Sequence, residues 1–323
     1  MKKLIILLLV SFNFFIFSSL WSSDNNSILE NTFYDKVWQE VISMPKDNRP
    51  KIALVLGGGG ARGFAHIGVL QVFEENHIPI DIITGTSAGA FIGALYASGK
   101  TSEDLKKITK KIKWHDLFTL DLISFFKLLF KDKFLDSSKM GILISKNIEG
   151  KHFYELNIPF ACVAADIVTG EKVVLRDGDV AQAVCASSAI PGIFEPIEYK
   201  QRYLVDGGIV DNVPVDVAKG LGADIIIAVN IEADFTQNEL KKAINMLFQI
   251  TYIQGKRLNA HILKDADFIL LPSVSGIDVQ SLENYEIIIE EGRIETRKNI
   301  KQIKKIIIKK IYGDFIQESN KDI

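Results

Sequence analysis

Short unbroken runs of apolar residues alternate along this chain with longer stretches in which apolar positions recur every three or four residues. Ile52-Ala53-Leu54-Val55-Leu56 has no polar position, the pattern of a strand covered on both faces within a parallel sheet. The stretch 64–76 follows, with Ile67, Leu70, Val72 and Phe73 on one side at helical spacing. Further strands are predicted at 80–84, 159–165, 171–175, 202–205, 225–231 and 267–271, and further helices at 88–98, 179–187, 214–221, 238–263 and 282–311. Strands interleaved with helices predict a layered α/β fold. No internal repeat or low-complexity linker divides the chain.

The first 23 residues break this rhythm. Lys2 and Lys3 precede an apolar run from Leu4 to Phe17, and small or polar residues follow to Ser23, the order of a secretory signal peptide. Leu20 and Trp21 make a poor cleavage site, so an uncleaved anchor is the alternative, although the run is short against the ~20 apolar residues of a spanning helix. The expected organisation is a leader at 1–23, a polar lead with one short helix at 24–50, a packed domain at 51–311 and a tail at 312–323. The expected location is exported: periplasmic, membrane-associated or secreted.

Composition narrows the function classes. With 323 residues, 47% of them hydrophobic and 24% charged, and a formal net charge of -2, the chain is globular and carries no basic excess to hold nucleic acid. Cys162 and Cys185 stand among small apolar residues and read as buried free thiols. Neither has a second ligand at metal-binding spacing, so neither a metal nor a cofactor is expected.

Two glycine-punctuated turns carry the candidate chemistry. Gly57-Gly58-Gly59-Gly60-Ala61-Arg62-Gly63 follows the first strand, and four consecutive glycines let several backbone N–H groups converge without a Cβ in the way. Such a nest at a helix N-terminus stabilises negative charge. Gly58, Gly59 and Gly60 are the candidate oxyanion donors, with Arg62 bracing the loop or attracting a phosphate. The same loop satisfies GxGxxG through Gly58, Gly60 and Gly63, which keeps a dinucleotide-binding oxidoreductase open as an alternative. That reading needs an acid at the end of the next strand, whereas Asp81 precedes it and Gly85-Thr86-Ser87-Ala88-Gly89 follows it.

This second turn has the GxSxG form that places a serine on a sharp strand-to-helix bend. Ser87 is the candidate nucleophile, with Gly85 and Gly89 permitting the tight geometry. A serine hydroxyl needs a base to accept its proton. Of the histidines at 66, 77, 115, 152 and 261, only His261 comes late enough for a triad, and it sits inside a helical stretch. Asp206 is the better partner, at a strand end and followed by Gly207-Gly208. Asp211 and Asp166 compete with it, but Asp211 lies past the bend and Asp166 sits where a carboxylate caps its own turn.

These motifs together resemble the patatin-like phospholipases, a family that combines a GGGxRG loop, a GxSxG serine and a DGG or DGA aspartate. Here they stand as Gly58 to Gly63, Gly85 to Gly89 and Asp206 to Gly208, and residues 186–196 resemble the block preceding the aspartate strand. The resemblance covers 51–233. It implies a three-layer α/β/α fold around a mostly parallel sheet and a lipid acyl hydrolase of phospholipase A or lysophospholipase type. In it, Ser87 attacks the ester, Asp206 takes the proton and the Gly58, Gly59 and Gly60 amides hold the oxyanion. Gly57 stands where plant members have Asp, outside the donors.

The implied partner is a phospholipid or other lipid ester at a membrane surface. Residues 114–134, rich in Phe and Leu with Lys127, Lys131 and Lys133 interspersed, read either as a lid over the site or as a buried helix. The stretch 293–310 reads as a basic amphipathic helix with a solvated face. A catalytically silent lipid-binding protein is a further alternative.

Overall fold

A computed structural model describes residues 34–111, 138–231, 246, 249–250, 253–257, 262–274 and 283–319. The chain forms two compact units, Pro50–Ile307 and a smaller one made of Met1–Arg49 with Ile308–Ile323. The smaller unit contains helix α1 (34–43).

The larger unit is organised by a sheet of eight strands. In chain order these are β1 (Ile52–Leu56), β2 (Ile82–Thr86), β3 (Phe160–Asp166), β4 (Lys172–Leu175), β5 (Ile197–Tyr199), β6 (Arg202–Asp206), β7 (Ile225–Val229) and β8 (Phe268–Leu270). Hydrogen-bonded neighbours follow the path β5-β6-β3-β2-β1-β7-β8, with β4 also paired to β3. The five strands from β3 to β8 along this order run parallel, while β4 and β6 pair antiparallel with β3 and β5 pairs antiparallel with β6. The expected mostly parallel sheet is therefore present with an antiparallel margin.

Helices cover both faces. The named helices of the described residues are α2 (Ala65–Glu75), α3 (Ala88–Ala97), α4 (Ser102–Lys111), α5 (Ser138–Ile148), α6 (Val180–Ser187), α7 (Val215–Gly220) and α8 (Tyr285–Ser319), of which α3, α6 and α7 pack on strands. Alternate residues of a strand point to opposite faces. Ala53, Val55, Ile82, Ile226 and Ala228 accordingly pack with Val215 and Ala218 of α7, whereas Leu56, Ile83 and Phe160 meet α3 at Gly93. All five residues of β1 are buried, as the unbroken apolar run requires.

The second strand extends further than its apolar pattern predicts, through Gly85 and Thr86 instead of ending at 84. Parallel pairing carries it there, because Gly85 faces both Leu56 of β1 and Cys162 of β3. The C-terminal helix is longer than expected, and its backbone meets that of α2 at a pair of glycines. A Cβ at Gly68 would lie 1.9 Å from the Ile289 carbonyl oxygen, and one at Gly292 would lie 2.0 Å from that of Ala65. The helix expected at 238–263 and the apolar stretch 114–134 fall largely or wholly outside the described residues.

Candidate active site

One edge of β3 brings the two candidate catalytic residues together. β2 pairs with the first half of that strand, ending with Thr86 opposite Val163. β4 occupies the other edge over Cys162–Ala165. At Ala164, β2 gives way on its own edge to β6, which arrives antiparallel and sets Asp206 opposite Ala164. Two strand ends thus meet head to head, one delivering Ser87 and the other Asp206. The Ser87 side chain faces the Asp206 carboxylate and favours its ionised form.

Ser87 sits at φ 54, ψ -120, a conformation that costs a non-glycine residue on the order of 1–3 kcal/mol. Its neighbours hold it there. A Cβ at Gly89 would lie 2.0 Å from the Leu56 carbonyl oxygen, so α3 starts against the end of β1 only because residue 89 has no side chain. Gly85 backs onto Gly89, and Gly63 onto Ala88. The backbone N–H of Ser87 donates to Ser187 Oγ at 3.0 Å, and that hydroxyl donates to the Val163 carbonyl at 2.6 Å. Ser187, at the end of α6, therefore pins the nucleophile's bend to β3.

Asp206 is 7% exposed. Burial pushes its carboxyl from an ordinary 3.8 up to about 6, against the opposing pull of the Ser87 side chain and of the hydrogen bond from the Gly208 N–H at 2.8 Å. The competing acids are engaged elsewhere. Asp166 accepts from the N–H groups of Val168 and Thr169, which hold its carboxyl below the usual range, and pairs with Arg202 at 3.2 Å. Asp211 pairs with Lys172 at 3.1 Å, and that lysine also reaches Asp216. Burial pushes Asp211 up to about 7 in spite of the lysine.

The glycine loop lies beside the serine, with the site of a Gly58 Cβ 3.1 Å from Ser87 Cβ. Its amides are not equivalent, and this corrects the expectation for Gly58. The Gly58 N–H already donates to the Asn212 carbonyl at 3.1 Å, as that of Gly57 does to Val229 at 3.0 Å. The amides of Gly59 and Gly60 make no hydrogen bond among the described residues. Gly60 holds φ 58, which favours glycine. Arg62 is 2% exposed, its side chain inside the protein. Gly207 packs on the Val163 carbonyl and Gly208 on Asn212.

No described histidine serves Ser87. His66, fully buried on α2, bonds the Gly57 carbonyl through Nε2 at 2.8 Å, and burial lowers it to about 4, so it is neutral and donates there. His77 lies past the end of α2, and His152 caps the short helix Phe153–Glu155. His115 and His261 are outside the described residues. Asp81, the residue nearest to a ribose ligand in the dinucleotide alternative, accepts the Ile52 N–H at 2.9 Å and is buried at the start of β2. Ser187, Asn212 and His66 are the supporting residues that the motifs alone do not single out.

The family model described as patatin-like phospholipase matches residues 54–219. Patatin-like phospholipase domain-containing protein 6 of Mus musculus is 36% identical over 183 residues, 56% of this chain and 13% of that protein. An uncharacterized NTE family protein of Mycobacterium bovis is 39% identical over 183 residues, 56% of this chain and 49% of that protein. The chain thus spans half or less of the length of these curated relatives. Among solved structures, VipD from Legionella pneumophila aligns over 79% of this chain and 67% of its own with a TM-score of 0.47 and 14% identity. The matched segment runs from β1 through the glycine loop, the serine bend and the aspartate strand to α7, and on that footing the chain belongs to the patatin-like phospholipase family.

Proposed function

We propose that this protein is a lipid acyl hydrolase that works through a Ser87/Asp206 dyad. The observation that carries this reading is the placement of Ser87, on a strained bend at the end of β2, against a buried carboxylate at the end of β6. With its proton affinity raised to about 6, Asp206 is ionised at neutral pH yet basic enough to take a proton. Ser87 Oγ attacks the ester carbonyl and its proton passes to Asp206. The Gly59 and Gly60 amides receive the oxyanion, each such donor contributing ~3 kcal/mol to the transition state. Collapse of the tetrahedral intermediate expels the alcohol, which takes the proton back from Asp206. Water then cleaves the acyl-enzyme by the same route.

Arg62, buried, braces the glycine loop from inside. The proposed substrates are phospholipids, lysophospholipids or other lipid esters, met at a membrane surface after export through the N-terminal segment. Labelling by a fluorophosphonate probe and hydrolysis of p-nitrophenyl butyrate and of phosphatidylcholine vesicles test the proposal. Wild type is expected to do all three and Ser87→Ala none. A folded wild-type protein that is neither labelled nor active would overturn it.

A further inference from the structure

We infer that Asn212 is a positioning residue that aims the oxyanion-binding amide of Gly59, an inference that rests on the hydrolase reading above. Asn212 Nδ2 donates to the Gly58 carbonyl at 3.2 Å. That carbonyl and the Gly59 N–H belong to the same peptide unit, which is planar and trans, so the two groups point in opposite directions. Fixing the oxygen fixes the N–H. The bond also polarises the peptide and makes its N–H a stronger donor.

A glycine-rich loop needs such a device. With no Cβ on either side, the Gly58–Gly59 peptide can rotate about its flanking torsions at little steric cost, which would turn the N–H away from the reacting carbonyl. The preceding peptide is held at both ends, its Gly57 carbonyl by His66 Nε2 at 2.8 Å and its Gly58 N–H by the Asn212 carbonyl at 3.1 Å. Asn212 thereby grips Gly58 through backbone and side chain at once. The space a Gly58 side chain would need is already taken, with Asn212 Oδ1 2.5 Å from that Cβ position.

The segment that carries Asn212 is itself tied to the other catalytic parts. It leaves Asp206 through Gly207 and Gly208, and the Asp211 N–H returns to the Gly207 carbonyl at 2.8 Å. Thr86, next to the nucleophile, donates to the Asp211 carbonyl at 2.9 Å, and Thr84 to that of Pro214 at 3.0 Å. One short strap therefore spans the base, the serine strand and the glycine loop. Asn212 is where it reaches the oxyanion side.

The test is Asn212→Ala, which keeps the backbone bond to Gly58 and deletes the Nδ2 bond, alongside Asn212→Asp, which keeps the volume but puts an oxygen where the donor stood. Both are expected to lower kcat on p-nitrophenyl butyrate by about 10- to 100-fold, the scale of a small misplacement at a reacting centre, with KM nearly unchanged. Affinity for an alkyl trifluoromethyl ketone, which forms the tetrahedral adduct, should fall by the same factor. The apparent pKa of kcat/KM should stay at its wild-type value, because the base is untouched. Restoration of activity by Asn212→Asp, a loss confined to KM, or a shifted pKa with unchanged ketone affinity would each overturn the inference. Denaturation midpoints show whether the alanine variant folds as wild type does; should it not, Asn212→Asp carries the same comparison. An inactive wild type refutes the hydrolase reading, whereas an active wild type, a dead Ser87→Ala and a fully active Asn212→Ala refute this inference alone.

Discussion

Replacing Asp206 with asparagine should abolish the proposed hydrolysis and stabilise the fold at once, with a pH dependence that follows from one buried carboxyl. Burial raises Asp206 from 3.8 to about 6. At ~1.4 kcal/mol per pKa unit, ionised Asp206 is about 3 kcal/mol more costly in the folded protein than in the unfolded chain. Below pH ~4 the group is protonated in both states and the penalty is absent. Between ~4 and ~6 the unfolded chain releases its proton while the folded protein keeps it, so wild-type stability falls as pH rises; above ~6 the whole penalty is present. The neutral amide of Asp206→Asn would escape it while still able to bond Gly208 and Ser87.

Urea denaturation of wild type and Asp206→Asn from pH 4 to 8 measures the difference. It should be near zero at the acid end and grow to as much as ~3 kcal/mol at pH 7.5 in favour of the variant. Asp211, pushed up to about 7, titrates in the same window but is common to both proteins and largely cancels. Activity should move oppositely. Loss of a general base typically costs 10²- to 10⁴-fold, and wild-type kcat/KM should climb with pH through about 6. A variant no more stable than wild type at pH 7.5, or a flat wild-type profile from pH 5 to 8, would refute the reasoning.

Ser187→Ala should strand the Ser87 N–H and the Val163 carbonyl, costing about 1–3 kcal/mol for each buried polar group left unpaired, visible as a lower denaturation midpoint together with reduced kcat. Gly89→Ala drives a Cβ to within 2.0 Å of the Leu56 carbonyl oxygen and should destabilise by about 3 kcal/mol or prevent accumulation of soluble protein. Vesicle hydrolysis should persist in excess chelator, since the proposed chemistry needs no metal; loss of activity restored by calcium would contradict that. Phe125→Ser with Phe126→Ser should lower hydrolysis of vesicles more than of a soluble ester if 114–134 forms a lid, and equal activity on both at unchanged stability would count against the lid.

The parts legible in the sequence are those whose chemistry depends on neighbours in the chain. β1 announces itself by its unbroken apolar run, and Ser87 and Asp206 by glycines that must lie beside them. β2 is harder to delimit, because Gly85 and Thr86 carry no apolar signal and belong to the strand only through pairing with β1 and β3. β5, three residues long, is too short for a period to register. Helix α4 escapes the pattern because it buries only Ser102, Leu105 and Thr109, a weak apolar stripe.

Long-range hydrogen bonds are illegible for a different reason. Nothing at Gly58 signals that its amide is taken by a carbonyl 154 positions away. Ser187 and Asn212 work through bonds between a side chain and distant backbone, which leave no spacing to read. A hint is present in Asn212, a polar residue lodged between Ile209-Val210 and Val213-Pro214 just after the Gly207-Gly208 bend.

The crossing of Gly68 and Gly292 bears on where this protein can be cut. The family match ends at residue 219, before β7, β8 and α8. Yet α2, the helix that continues the glycine loop, lies backbone to backbone against α8, and β1 is flanked on one side by β7. A fragment trimmed to the motif-bearing segment would expose one edge of its first strand and the grooved side of the helix behind its oxyanion loop. The smallest piece worth expressing therefore has to run to the C-terminal helix, and packing variants at Ile289 or Gly292 offer a way to retune the loop from the far end of the chain.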